Sequence, residues 1–164
     1  MITTASLFDE PQTAAPKAGE TQISFWVPGI CAPAGSKKGF WNKKANRVMI
    51  VDDCKRSKPW QSDVKAFAYE AYKGPLLKGP LHVVMDFYFT RPKAHFNSKG
   101  QLKELAMPYK VSKPDLLKTA RGCEDAMTGV IYGDDSQIVI EHLTKRYEQD
   151  RGPGVEIIVR EIVE

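Results

Sequence analysis

Lys113–Gln137 reads KPDLLKTARGCEDAMTGVIYGDDSQ, and this stretch fixes how the rest of the chain must be organised. Leu116, Ala120, Cys123 and Met127 recur at helical spacing and form one apolar stripe, which predicts a helix from about Leu116 to Met127. Asp115 stands immediately before it, where a short carboxylate side chain caps a first turn. Thr128-Gly129 ends the helix, Gly133-Asp134-Asp135 makes a tight acidic turn, and Gln137–Arg146 continues with strand-type residues. The chain therefore passes from helix to turn to strand within about thirty residues, and a sheet with helices packed on it is the expected setting.

Reading outward, Gln22–Val27 predicts a first strand with Ile23, Phe25 and Val27 on one face, stopped by Pro28-Gly29. Phe40-Trp41 and Arg47–Val51 flank a basic tip at Asn42–Asn46 and read as a hairpin. Ser57 is expected to cap a helix with Pro59 near its start, running to about Tyr72 with Trp60, Val64, Phe67, Ala68 and Ala71 as its buried stripe. Leu81–Thr90 is apolar on both faces, as expected of a central strand covered on both sides. Arg91–Ser112 is polar and basic without periodicity, a length of loop that is usually functional or mobile. Gly154–Ile162 closes the sheet. The expected fold is α+β: a single domain over residues 21–164, with a mixed sheet of about five strands and two main helices. Residues 1–20, rich in Thr, Ala and Pro, read as a flexible tail.

The balance of 24 Lys and Arg against 20 Asp and Glu in 164 residues leaves +4, which permits a polyanionic partner without demanding one. The cations are clustered: Lys37, Lys38, Lys43, Lys44 and Arg47; Lys55, Arg56 and Lys58; and Lys93, Lys99, Lys103, Lys110 and Lys113 in the long loop. Aromatics (Phe40, Trp41, Trp60, Phe96, Tyr109) neighbour each cluster. Loop lysines reach phosphates but also serve as ordinary solvated surface, and such aromatics are more often packing than wedges into a bent duplex. Cys31, Cys54 and Cys123 are odd in number and lack C-x-x-C spacing, which argues against a disulfide framework or zinc knuckle and for a reducing, cytoplasmic setting. No secretory signal or membrane-spanning run is expected, and no membrane partner.

The chemistry sits in the opening stretch. Asp115 and the pair Asp134-Asp135 lie at the ends of neighbouring elements, where carboxylates can hold Mg²⁺. Such an ion generates a hydroxide-like nucleophile and steadies charge on a phosphodiester, with a nearby Arg or Lys assisting. Taken singly, each feature also has an ordinary reading, Asp115 as a helix cap and Gly-Asp-Asp as a turn.

The spacing Lys113-Pro114-Asp115, Arg121, Asp125-Ala126-Met127, Gly129 and Asp134-Asp135-x-Gln137-Ile138 resembles the signature of the RusA family of Holliday-junction resolvases. Ile23–Gly29, Gly35-Ser36-Lys37-Lys38, the basic hairpin and Trp60 are similar to its phage and actinobacterial branch, so the resemblance spans about residues 22 to 162. It implies a RusA-like fold and metal-dependent cleavage of four-way or other branched DNA in recombination and repair, by a homodimer using Mg²⁺ or Mn²⁺. It implies Asp115 and Asp135 as metal-binding catalytic acids with Asp134 beside them at the metal, and Arg121 at the family's essential basic position, as Arg where Lys is usual. Lys37, Lys38, Lys43, Lys44, Arg47, Lys113 and Lys118 are the expected DNA contacts.

One position departs from the pattern. The family has two acids two residues apart, and here the second is Leu117. Leu117, Arg121, Glu124 and Thr128 share a helix face, but Glu124 and Asp125 lie about two turns away, roughly 10–12 Å along the axis, so neither is expected to fill the vacated place. Asp125 is read equally as an ion-pair partner of Arg121. Leu117 is compatible with an enzyme that works with fewer acids, with a junction binder that has lost cleavage, or with a residue altered to trap substrate. A third class, a basic α+β module for RNA or protein, lacks RNP-like aromatics, a GXXG loop and zinc spacing.

Overall fold

The computed structural model describes residues 21–35, 37–52 and 54–163. The expected tail over residues 1–20 lies outside them, as does Ser36 of the quoted Gly-Ser-Lys-Lys motif. In chain order the described elements are β1 (Gln22–Pro28), β2 (Lys37–Asn42), β3 (Arg47–Asp52), α1 (Ser57–Ala71), β4 (Leu81–Phe89), α2 (Leu116–Met127), β5 (Ile138–Tyr147) and β6 (Gly154–Glu161). The fold is α+β, as the sequence implies.

Four strands make one mixed sheet in the order β1-β6-β4-β5, with β4 and β5 parallel and the other pairs antiparallel. Parallel neighbours need a long crossover, and here the crossover carries the 91–112 loop and α2. The expected single sheet of about five strands is instead a sheet of four and a separate pair, β2–β3. Trp41 and Val48, directly opposed in that hairpin, are 57% and 60% exposed, so the face they share is open to solvent.

Burial along β4 alternates strictly. Leu81, Val83, Met85, Phe87 and Phe89 are buried, whereas His82, Val84, Asp86 and Tyr88 are half-exposed. The expectation of a strand covered on both faces is therefore corrected: both helices lie on one face, and the apolar residues there form the core with Trp60, Val64 and Ala68 of α1 and Ala120, Cys123, Ala126 and Met127 of α2. On the outer face Thr144 donates to Asp86, and the imidazoles of His82 and His142 meet at 2.8 Å.

α1 starts one residue earlier than its sequence suggests. Arg56 occupies the cap position without a side-chain cap, and Ser57 is buried inside the first turn, because its amide already bonds the Cys54 carbonyl at 3.1 Å. α2 is held down from above by the segment after β1. The Ala34 amide donates to the Lys118 carbonyl at 2.7 Å, and this backbone passes so near Gly122 that an added Cβ would lie 3.5 Å from the Ala34 nitrogen. The long loop is better organised than its composition suggests. It opens with a short 3-10 turn at Lys93–His95, closes a small bridge between Phe96 and Leu102, and then pairs Tyr109 with Arg146 along the free edge of β5. No described helix is long and apolar enough to cross a membrane.

Candidate active site

α2 and β5 form the two walls of the site. Along β5 the residues Glu141, Leu143 and Lys145 alternate onto the face that carries the helices, Leu143 packing against the core. The N-terminal end of α2 meets Lys145, whose ammonium donates to the Pro114 carbonyl at 2.7 Å and the Ser112 carbonyl at 2.9 Å. The other end of α2 brings Glu124 to Glu141. Helix and strand thus run in opposite directions, and the groove between them changes sign along its length.

At the basic end, Asp115 caps α2 through a 3.0 Å hydrogen bond from the Lys118 amide, while its carbonyl accepts the Thr119 hydroxyl at 2.7 Å. The residue read as a catalytic acid therefore also holds the helix start, and its carboxylate faces solvent. Burial lowers the Lys145 pKa, the nearby Lys110 charge adds to this, and Asp115 opposes it. Lys110 lies over the Tyr147 and Phe89 rings, each 5.6 Å away.

At the acidic end, the turn predicted at Gly133-Asp134-Asp135 is a capped 3-10 turn spanning Asp135–Gln137. Asp134 accepts the Ser136 amide at 2.9 Å, and the Ser136 side chain and amide together hold its carboxyl below the usual range. The Gln137 carboxamide accepts the amides of Gly133 and Asp134 and donates to the carbonyls of Leu77 and Gly79, which ties the turn to the segment preceding β4. With Asp134 occupied in this way, Asp135 is the member of the pair that lines an open pocket, together with Glu124, Ser136, Ile138, Val139 and Glu141. Burial, then the hydrogen bond and charge of Glu141, then the charges of Asp135 and Asp125, push the Glu124 carboxyl up to about 8. Tyr132, fully buried beneath, donates to the Glu124 carbonyl at 3.1 Å.

The expected residues are thus distributed rather than gathered. Asp135 is brought together with Glu124 and Glu141, whereas Asp115 is set against Lys145. Nine helical residues, about 13 Å of axis, separate Asp115 from Glu124. Arg121 is exposed on the helix between them. Leu117 is 69% exposed on the first turn, an apolar side chain beside Asp115. Sequence reasoning set Glu124 aside because of its distance from position 117, and it missed Glu141. Strand alternation with Leu143 and Lys145 was the signal that could have found Glu141.

Among the expected DNA contacts, Lys43, Lys44 and Arg47 are exposed at the hairpin tip, and Lys113 and Lys118 are exposed beside Asp115. Lys37 and Lys38 belong to β2, and their side chains lie outside the described residues. Trp60 is core, and Tyr109 lies under the Arg146 guanidinium at 5.4 Å. Neither is available as a wedge.

Among the described residues no three Asp, Glu, His or Cys side chains already converge as a metal cage. The donor chemistry nevertheless suits a hard divalent cation: burial first, and then the neighbouring carboxylates, favour the protonated form of Glu124, and such an ion relieves the repulsive part.

Two comparisons bear on this geometry. The family model described as Endodeoxyribonuclease RusA matches residues 31–160. An uncharacterized protein of Bacillus subtilis (strain 168), YqaN, is 30% identical over 142 residues, covering 85% of this chain and 96% of that protein. The matched region holds β2 through β6, both helices and every acid of the α2–β5 groove, and the chain belongs to the RusA family of endodeoxyribonucleases.

Proposed function

We propose that this protein is a structure-selective endonuclease that resolves four-way or other branched DNA in recombination and repair, acting in the cytoplasm with Mg²⁺ or Mn²⁺. The observation that carries this reading is the α2–β5 groove, with Asp135 facing Glu124 and Glu141 at one end and lysines at the other, in a chain of the RusA family. Asp135, Glu124 and Glu141 would hold the ion, which supplies an activated water and neutralises phosphate charge when bound. Asp134 serves them indirectly by fixing the turn. Asp115 keeps the start of α2 in place and presents a second carboxylate to the groove. Lys113 and Lys118 beside it, and Lys37, Lys38, Lys43, Lys44 and Arg47 on the hairpin, draw in phosphates without reading sequence. Arg121, midway along α2, would neutralise charge developing on the scissile phosphate. Symmetric nicking of two strands calls for two copies of the site, so the working form is a homodimer.

The test is cleavage of a synthetic four-way junction with Mg²⁺ and with chelator, for this protein and Asp135→Asn. Cutting that needs the ion and disappears in Asp135→Asn is the expected result. No cutting by the unaltered protein, with undiminished junction binding, overturns the catalytic claim.

That last outcome corresponds to a second reading, a junction-binding protein impaired in cleavage, and one observation favours it. The exposed Leu117 places an alkyl group where the family carries a carboxylate. On this reading Leu117→Asp switches cleavage on with little change in affinity. Equal cutting by both proteins removes it.

A further inference from the structure

The loop between β4 and α2 carries a second feature besides its charge. Residues 91–113 hold six Lys or Arg against one acid, Glu104, a surplus of five in a chain whose total is +4. Two apolar side chains stand almost entirely in solvent among them: Leu105 is 93% exposed and Val111 is 89% exposed.

Neither exposure reflects a loop without structure. Val111 lies between two fixed points. On one side the Lys110 amide donates to the Lys145 carbonyl at 3.0 Å, and on the other the Lys145 ammonium donates to the Ser112 carbonyl. Clamping 110 and 112 against β5 leaves the residue between them directed away from the sheet, four residues before Asp115. Leu105 sits in a tight turn closed by the Ala106 amide on the Lys103 carbonyl at 3.0 Å, and that turn is anchored by the Lys103 amide on the His95 carbonyl at 2.9 Å. The Lys103 ammonium itself bonds the Ala94 carbonyl. The backbone thus holds two alkyl groups out into water, at the cost of their hydration.

An alkyl group in this position needs an apolar partner, and the surrounding charge determines which. Protein-binding patches are depleted of lysine at their centre, whereas here the apolar residues are isolated and interleaved with Lys103, Lys110 and Lys113. The ligand that offers both anionic and flat apolar surface is a nucleic acid whose bases are unstacked. Apolar side chains are known to enter opened base steps while cations hold the flanking phosphates. We propose that Val111 and Leu105 insert against exposed base faces at a DNA branch point, with the loop lysines on the adjacent phosphates, and that this contact is what distinguishes branched from linear DNA. The assignment rests on the reading of branched DNA as substrate.

The experiment uses the full chain with Val111→Ser and Leu105→Ser, four-way junctions carrying 2-aminopurine at the branch point or in an arm, and matched linear duplex, all in chelator so that nothing is cut. Both positions are exposed, so thermal melting should match the unaltered protein. The expected result is a rise in fluorescence at the branch point only, lost in Val111→Ser and reduced in Leu105→Ser. The preference for junction over duplex should fall roughly tenfold in Val111→Ser, with duplex affinity unchanged. If the protein binds the junction tightly while both variants keep the fluorescence rise and the preference, the insertion idea is wrong and the substrate reading stands. Absence of any junction preference in the unaltered protein removes both. If the variants change only self-association measured by sedimentation, the apolar pair is a protein contact and the proposal falls.

Discussion

Replacing Glu124 by Gln should remove most of the loss of folding stability that this protein suffers between about pH 4.5 and pH 8. The ordinary carboxyl value is 4.5, and burial plus the neighbouring Glu141, Asp135 and Asp125 raise that of Glu124 to about 8. An acid that holds its proton more tightly when folded behaves as follows. Below 4.5 both states carry the proton and nothing is lost. Between 4.5 and 8 the unfolded chain releases it while the folded chain does not, so stability falls as pH rises. Above 8 the loss is complete. Each tenfold change in proton affinity corresponds to about 1.4 kcal/mol, so the whole displacement has a ceiling of about 5 kcal/mol. Glu124 is only part-buried, and screening brings the expected loss to about 2 kcal/mol. Gln is neutral at every pH and fills the same space. Urea unfolding at pH 5.5 and pH 9 in metal-free buffer, on both proteins, reads the difference directly. If the unaltered protein and Glu124→Gln lose the same stability across that range, the crowding of carboxylates at this end of the groove is not as described.

Three other outcomes are expected. Asp115→Ala should cost about 1 kcal/mol in chemical denaturation by removing a helix cap, whereas Asp115→Asn should keep the cap and the melting temperature and yet lower junction cleavage about a hundredfold or more. Gly122→Ala should stabilise by about 0.5 kcal/mol, because the added methyl finds ordinary contact distances to Ala34 and Ala32 while the helix gains propensity; a loss above 1 kcal/mol would show that the covering segment cannot accommodate it. Mg²⁺ should raise the melting temperature of the unaltered protein more at pH 8 than at pH 6, since the ion must displace the Glu124 proton, and the increment should shrink in Asp135→Asn; equal increments at both pH values would place the ion elsewhere.

Periodicity made much of this legible. Trp60, Val64, Ala68 and Leu116, Ala120, Cys123, Met127 stand on the helix faces turned to the core, although Phe67 and Ala71, read with the first stripe, are exposed; Thr128-Gly129 and Gly133-Asp134-Asp135 end and turn the chain where read. The second face of β4 was misjudged because Val84 and Tyr88 look like core in a list of residues. Only the placement of both helices on one side shows that they are not. The hairpin could not be separated from the sheet by its sequence, since β2 and β3 have strand-like residues and differ from the others in which strands they pair with. In the candidate site, the helix cap at Asp115 and the turn at Asp134-Asp135 were legible from spacing along the chain. The grouping of Asp135 with Glu124 and Glu141 was not, because it depends on how α2 packs against β5 and on the two running in opposite directions, a relation that spacing along the chain does not carry.

That opposed arrangement has a consequence for the order of events on DNA. On the proposed function, a phosphate backbone would settle at the end of the groove where Lys113, Lys118 and Lys145 lie and be pushed away from the end where Asp135 and Glu141 lie, for the same electrostatic reason. On the proposed function, capture and cutting are therefore separate stages with a built-in delay: a strand can be parked on the protein indefinitely, and the delivery of counter-charge to the far end becomes the signal that releases the blade. A chain of this kind, starved of divalent ions, would shield a branch point rather than sever it.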